Sequence, residues 1–361
     1  MSGRPVGVLG GSGTVGRVVL DRLAGHGIGP LRVGGRDPRR ATAAAASVSG
    51  AEAVAADVAD PEALAAFCAG CSVVVNCAGP SYRVLDTVAR AALAAGADYV
   101  DAAGDAVAMR ALEARPTPVA SRGGRRAAVF SAGLMPGLSG LLPRLLTAAG
   151  PPDRLEVYVG GATAISELSA VDVLLTRGPE HGSPLAAWRD GGVAERALTP
   201  LRGVVLPGFR GRVHAWPFLS AEAAELAARS GARELRAYTV YASERLPEAL
   251  AAAWADETAA VETHVPAVVA AAAADVGVGG PWYALLAHAR PGPGNREGPT
   301  RLLLRTPDSY ALSGVVAALA VRAVAAGEVP PGVHTAANVL DPRQVLDALA
   351  GDPLVDGIEL G

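Results

Sequence analysis

Four glycines close to the amino end raise the first chemical question, in the stretch VGVLGGSGTVGRVVLDRLA. Gly10, Gly11, Gly13 and Gly16 satisfy both G-x-x-G-x-x-G and G-x-G-x-x-G. In either register one glycine makes a strand-to-helix turn, one lets backbone approach a pyrophosphate, and one packs helix against strand. Ser12, Thr14 and Val15 complete the turn, where the free N–H groups and positive dipole end of a helix would meet phosphates. The tip of the second strand chooses the dinucleotide. An acidic side chain there holds a ribose 2′-OH, whereas an arginine accommodates a 2′-phosphate. The chain reads GGRDPRR, with Arg36 about twenty residues past Gly16 and Asp37 beside it. Arginine in first place favours NADP(H), and Asp37 keeps NAD as the alternative; Arg39 and Arg40 also suit a solvated helix start. Asp57, at the end of the third strand, suits either an adenine edge or the cap of a helix beginning at Pro61. Asn76, Cys77, Ala78, Gly79 and Pro80 close the fourth strand, and ligands of open α/β sheets lie beyond strand C-termini.

These residues need elements to position them. The first 130 residues alternate strand-like and helical runs, among them VGVLG (6–10), LRVGG (31–35), SVVVNCAG (72–79), DYVDAAG (98–104) and RAAVFSAG (126–133). Between them lie helical runs, including 84–96, and the alternation predicts parallel βαβ units in a doubly wound sheet. From about Leu141 the pattern changes to strand-like runs at 154–161, 235–243, 281–291 and 300–306 with helical runs at 219–230 and 247–274, an α+β arrangement on a mixed or antiparallel sheet. The turn-rich GPGNREG between the last two strands suits a hairpin. The last fifty residues read as helix returning to the first domain. The expected division is a Rossmann domain over 1–135, an α+β domain over 136–308, and a helical segment over 309–361.

Composition narrows the chemistry. Half of the 361 residues are hydrophobic, as in a globular protein, and the net charge of −3 gives no reason to expect nucleic acid. All 32 basic residues are arginines. Without lysine there is no Schiff base, no pyridoxal-phosphate anchor, no Walker A lysine and no Tyr-x-x-x-Lys pair. The six histidines stand apart, which argues against a metal centre. His214 and His288 fall in or near strand-like segments of the second domain; a structural histidine is the simpler reading of both. Cys68, Cys71 and Cys77 read as reduced packing residues. No signal peptide fits, and the apolar stretch near Arg322 is too short to span a bilayer, so a soluble cytoplasmic protein without membrane partners is expected.

The segments VLGGSGTVG, NCAGPSYRVLDTVARAALAAGADYVDAAGD, SAGLMPGLSGLLPRLL and TPDSYALSGVVAALAVRAVAAGEVPPGVHTAANVLDPRQVLDAL together resemble the saccharopine dehydrogenase-like family of NAD(P)-binding oxidoreductases. The resemblance implies a Rossmann domain, a second α+β domain shaping a substrate cleft and making homodimer contacts, and a closing C-terminal helix. It also implies reduction of imines, or in other relatives of activated C=C bonds. Carried over by position, Gly10, Gly13 and Gly16 bind the pyrophosphate and Arg36 the 2′-phosphate. Ala78, Gly79 and Pro80 run along the ribose and nicotinamide, Asp101 and Gly104 line the crevice, and Met135, Pro136 and Gly137 form the loop over the nicotinamide. Where saccharopine-forming members carry an acidic residue before that Pro-Gly, this chain has Met135, which implies a more apolar pocket.

Hydride transfer to an imine needs the cofactor held near the electrophilic carbon, a stabilised iminium and a proton source. Asp101 is the best-placed carboxylate, with Asp105 behind it, and Tyr82 either donates a proton or walls the pocket. Ser131 suits a carboxamide contact or a turn hydrogen bond; Arg144 and Tyr310 read more simply as surface and core. The expected activity is NADPH-dependent reduction of a C=N bond in a small molecule. Reduction of a conjugated C=C, and a non-catalytic NADP(H)-binding protein, are the alternatives.

Overall fold

The computed structural model describes residues 3–115, 126–295 and 297–361. The chain divides into two compact units. One comprises Met1–Leu138 with Tyr310–Asp341, and the other Ser139–Ser309 with Pro342–Gly361.

The first unit is a doubly wound α/β domain. Its elements are β1 (Val6–Leu9), α1 (Thr14–Gly25), β2 (Leu31–Gly35), α2 (Pro38–Ala45), β3 (Glu52–Ala55), α3 (Pro61–Cys68), β4 (Val73–Asn76), α4 (Ser81–Val84), α5 (Thr87–Ala94), β5 (Asp98–Asp101), α6 (Ala106–Glu113) and β6 (Ala127–Phe130). A seventh strand, Gly332–Thr335, joins β6, and the order across the sheet is Gly332–Thr335, β6, β5, β4, β1, β2, β3. Every pairing is parallel. Strands β1, β4 and β6 are buried along their whole length and apolar except for Asn76 at the tip of β4, as suits a sheet covered on both faces. All strand C-termini therefore reach one edge, where the loops after β1, β2, β4 and β5 gather.

Helix starts follow local chemistry. Pro38 and Pro61 open α2 and α3 with their φ already helical, each preceded by a capping aspartate, Asp37 and Asp60. Asp57 is therefore not the cap of α3; its carboxylate accepts from Ala59 N at 3.0 Å and closes the turn before it. The helix expected over 84–96 is α5, Thr87–Ala94, which starts late because Leu85, between it and the short α4, adopts φ +48°. At the opposite edge Arg32 donates to Phe67 O (2.7 Å) and Ala69 O (2.6 Å), neutralising the C-terminal carbonyls of α3. Cys68 and Cys71 are buried free thiols beside it. Burial and the neighbouring Cys71 push Cys68 up to about 12, so it is a packing group at neutral pH.

The second unit is built on a ten-stranded sheet around the strand Pro152–Ala162. Glu234–Tyr241 pairs with it in parallel and Trp282–Pro291 antiparallel, so the sheet is mixed. Trp282–Pro291 and Arg301–Thr306 form the expected hairpin. The strand Val213–Ser220 alternates buried and half-buried residues along its whole length. The helix Val261–Gly279 is long and apolar enough to cross a bilayer by length and composition. It nevertheless packs through Val265 and Val268 against Ala170, Leu174 and Leu250, and it carries the buried Asp275.

The chain beyond residue 309 differs from the expected helical return. The helix Ser309–Ala325 does join the first unit, where Gly314 lets it approach α1 closely; a Cβ there would lie 2.7 Å from Val15 O. Residues Pro342–Gly361 belong to the second unit instead. Their strand Gly357–Leu360 extends its sheet beside Arg301–Thr306. Hydrogen-bonding partners at two sheet edges outweigh a helical reading of this alanine-rich tail.

Candidate functional site

The glycine turn meets β4 and α1 at distances only glycine permits. Gly10 has φ +77°, and a Cβ on it would sit 2.7 Å from the backbone of Cys77. A Cβ on Gly16 would fall 2.3 Å from Gly10 O, so α1 is seated directly on the turn. A Cβ on Gly11 would meet Val33 at 2.7 Å. Gly13 occupies the cap of α1 with no side-chain hydrogen bond, and the first turn carries no acidic residue. The leading N–H groups and the positive dipole end thus face the loop that Ser12, Thr14 and Val15 help to form, the arrangement that receives a phosphate.

At the tip of β2, Arg36 and Asp37 do different work. The Asp37 carboxylate turns into its own helix and accepts from Arg39 N at 2.9 Å and Arg40 N at 3.3 Å. Arg36 is exposed beside it. A guanidinium is thus offered at this tip while the neighbouring acid is engaged by backbone.

Between β4 and β5 lies a buried polar knot centred on Asp101, 2% exposed. The register sets Asn76 opposite Asp101. Asn76 Nδ2 donates to Asp101 Oδ2 at 3.1 Å, and the Tyr99 hydroxyl donates to the same oxygen. Ala103 N and Gly104 N donate to Oδ1 at 2.9 and 2.6 Å. Asn76 Oδ1 in turn accepts from Ala78 N at 3.1 Å, fixing the turn through Cys77 to Pro80. Burial and the nearby Asp101 push the Cys77 thiol and the Tyr99 phenol upward. Gly104 is required here because a Cβ would lie 2.8 Å from Asp101 Cγ. With four donors on it and almost no exposed surface, Asp101 holds two strand tips together rather than offering an open carboxylate to a substrate. Tyr99 was missed in the sequence. Its place two residues before Asp101 on one strand, hence on the same face, was the available signal.

Tyr82 and Asp105 form a second polar pair on this edge. Tyr82 in α4 donates its hydroxyl to Asp105 Oδ2 at 2.7 Å, while Asp105 Oδ1 caps α6 by accepting from Val107 N at 2.8 Å. Both residues are half-buried. Ser131 is buried at φ +56°, and its hydroxyl donates to Gly104 O at 3.2 Å, a long-range bond that ties the loop after β6 to the loop after β5 rather than a local turn bond. Beyond it, Gly137 packs so closely that a Cβ would lie 2.1 Å from Gly133 O. Ser313, another residue missed in the sequence, receives Leu134 N at 3.1 Å and ties this loop to the long helix. Pro136 is half-buried, and Met135 stands 45% exposed at the loop's tip.

In the second unit, His214 Nδ1 lies 3.4 Å from Glu244 Oε1, and His288 is exposed in register with Glu156. Arg144 lies in the turn Leu142–Thr147, and Tyr310 begins the run of the long helix that belongs to the first unit.

Glycine turn, uncapped helix start and strand-tip arginine on one edge of a parallel sheet define a Rossmann-type dinucleotide-binding domain. Residues 6–123 match the family model described as the saccharopine dehydrogenase NADP binding domain. The match lies within the amino-terminal third of the chain and makes that part similar to the NADP-binding domain of saccharopine dehydrogenase. Among solved structures, the chain is similar to apo histidine-tagged saccharopine dehydrogenase (L-Glu forming) from Saccharomyces cerevisiae. The two share 18% identity over 99% of each chain, with a TM-score of 0.65, a likeness of fold. A putative myo-inositol dehydrogenase from Sinorhizobium meliloti aligns over 90% of this chain and 88% of its own, at 13% identity and a TM-score of 0.46. No curated protein matches the sequence.

Proposed function

We propose that the protein is an NADPH-dependent reductase acting on a C=N bond of a small metabolite or biosynthetic intermediate. The observation that carries the cofactor choice is the division of labour at β2. Asp37 is engaged by Arg39 N and Arg40 N, and Arg36 is exposed to meet a 2′-phosphate. The choice of C=N follows the saccharopine dehydrogenase relatives, and the exposed Met135 in place of an acid favours a substrate less charged than saccharopine.

When bound, the reduced dinucleotide supplies a hydride. The chain's own residues do the rest. The α1 start and glycine turn hold the diphosphate, and Arg36 holds the 2′-phosphate. The Asn76–Asp101 knot sets the Ala78–Pro80 turn along the dinucleotide, and the Met135–Gly137 loop excludes water from the reacting face. Asp101 acts here as a positioning residue. A cytoplasmic homodimer completes the reading.

The test is oxidation of NADPH and of NADH, followed by loss of reduced-nicotinamide absorbance with a panel of cyclic and open-chain imines and of enoyl thioesters. Imine turnover with NADPH is expected. Turnover of enoyl thioesters alone overturns the C=N assignment, and cofactor binding without turnover of any acceptor favours a sensor or scaffold.

A further inference from the structure

We propose that Tyr82, oriented by Asp105, recognises the protonated nitrogen of an iminium substrate and thereby selects C=N over neutral acceptors. The inference rests on the reductase reading above and concerns two side chains of the first unit. Tyr82 lies six residues past the end of β4 and Asp105 four past the end of β5. Both therefore belong to the sheet edge that carries the dinucleotide site.

The polarity of the pair follows from its hydrogen bond. An ionised carboxylate only accepts, so the 2.7 Å contact commits the Tyr82 proton to Asp105 Oδ2. A phenol so engaged meets a third group as an acceptor. Backed by a carboxylate charge, its oxygen favours an N–H that bears positive charge and disfavours a carbonyl or enolate oxygen, which needs a donor. The chemistry is matched to an iminium. Its nitrogen enters already protonated, so hydride from the reduced dinucleotide adds at carbon and the former π pair settles on nitrogen. A neutral amine results, with no proton to be delivered. Reduction of an enoyl group ends differently, since the α-carbon must take a proton, and this phenol's proton is already engaged. Asp105 touches Tyr82 and caps α6 but is not asked to touch substrate; it is a positioning residue.

The dual role of Asp105 makes the test sharp. In Asp105→Asn the amide oxygen retains the Val107 N cap, and the amide NH₂ then faces Tyr82. The phenol becomes the acceptor within the pair and turns its proton outward. Tyr82→Phe removes the oxygen and keeps the ring. Both variants and the wild type are titrated calorimetrically, with oxidised NADP present, using 2-methylpyrrolidine hydrochloride, a protonated amine bearing N–H. Turnover is then measured with 2-methyl-1-pyrroline and with crotonyl-CoA.

The amine should bind wild type about tenfold or more tightly than either variant, a typical worth for one charge-assisted hydrogen bond. Asp105→Asn should lose imine turnover by a similar factor, with the ratio of enoyl to imine turnover rising. Equal amine binding by all three proteins, or none by the wild type, overturns the proposal. Wild-type turnover of crotonyl-CoA alone overturns the selection of C=N together with the reductase reading it rests on, whatever the amine binding shows. Imine turnover unchanged in both variants removes the pair and leaves the reductase reading standing.

Discussion

At the scale of single residues, this sheet edge holds an exposed charge, Arg36, and a buried charge, Asp101, and the proposed function gives them different work. Arg36 is exposed and Asp37 is engaged by backbone, so Arg36→Glu should weaken NADPH by roughly 10- to 100-fold, the worth of a charge-assisted contact. NADH, lacking the extra phosphate, should lose little; equal losses for the two dinucleotides by calorimetry would remove the 2′-phosphate assignment. Asp101 belongs to the other class. An asparagine there presents its NH₂ either to the Tyr99 and Asn76 donors or to Ala103 N and Gly104 N, and in either orientation two donors lose their acceptor. Asp101→Asn should therefore cost about 2–3 kcal/mol of stability in denaturant unfolding, together with dinucleotide affinity. A fall in turnover at unchanged stability and unchanged affinity would return Asp101 to the chemistry. The identity of these residues was legible in the sequence, because motif and strand period place them. Their partners were not, since the Asp101–Tyr99, Asp105–Tyr82 and Leu134–Ser313 contacts depend on register and loop path.

At the scale of elements, legibility followed how strongly local chemistry specified each one. β1 and β2 are apolar, glycine-bounded runs that lie within a residue of where the pattern puts them, and β4 starts one residue late and ends three early, before the turn at Cys77–Pro80. The break at Leu85 escaped notice, and the strand Val213–Ser220 was given no bounds, only a strand-like setting for His214. Leucine announces no φ of +48°, and Pro217 argues against a strand that pairs on both sides. The same scale carries a prediction about α1. Because Gly16 rests on the Gly10 carbonyl, Gly16→Ala must push helix and turn apart to clear a 2.3 Å contact. The displaced helix start should bind both NADPH and NADH at least tenfold more weakly, with a loss of about 1–3 kcal/mol for overpacking. That common loss distinguishes it from Arg36→Glu. An alanine variant with wild-type affinity would mean that α1 does not deliver its N–H groups to the diphosphate.

At the scale of the whole molecule, the chain leaves the first unit at Ser139, returns at Tyr310 and leaves again at Pro342. The returning stretch gives the first unit a buried helix and an edge strand beside β6. The final twenty residues give the second unit the strand Gly357–Leu360, paired along Leu302–Arg305. Neither strand was apparent in the sequence, because a four-residue edge strand has too little pattern to compete with the flanking helical runs. A division of labour follows. Ending the chain at Asp341 strips the outer-edge hydrogen-bond partners from Arg301–Thr306, whose Leu302 and Leu304 are fully buried and which keeps its pairing with Trp282–Pro291, while every strand and turn that forms the proposed dinucleotide site remains. The shortened protein should keep NADPH affinity within a few-fold of the full chain by calorimetry. Amide exchange should accelerate in the hairpin Trp282–Thr306 and not in β1, β4 or β5. If instead exchange rises uniformly and NADPH binding vanishes, the two units fold as one cooperative body, and the carboxyl-terminal strand supports the cofactor site as much as the sheet it extends.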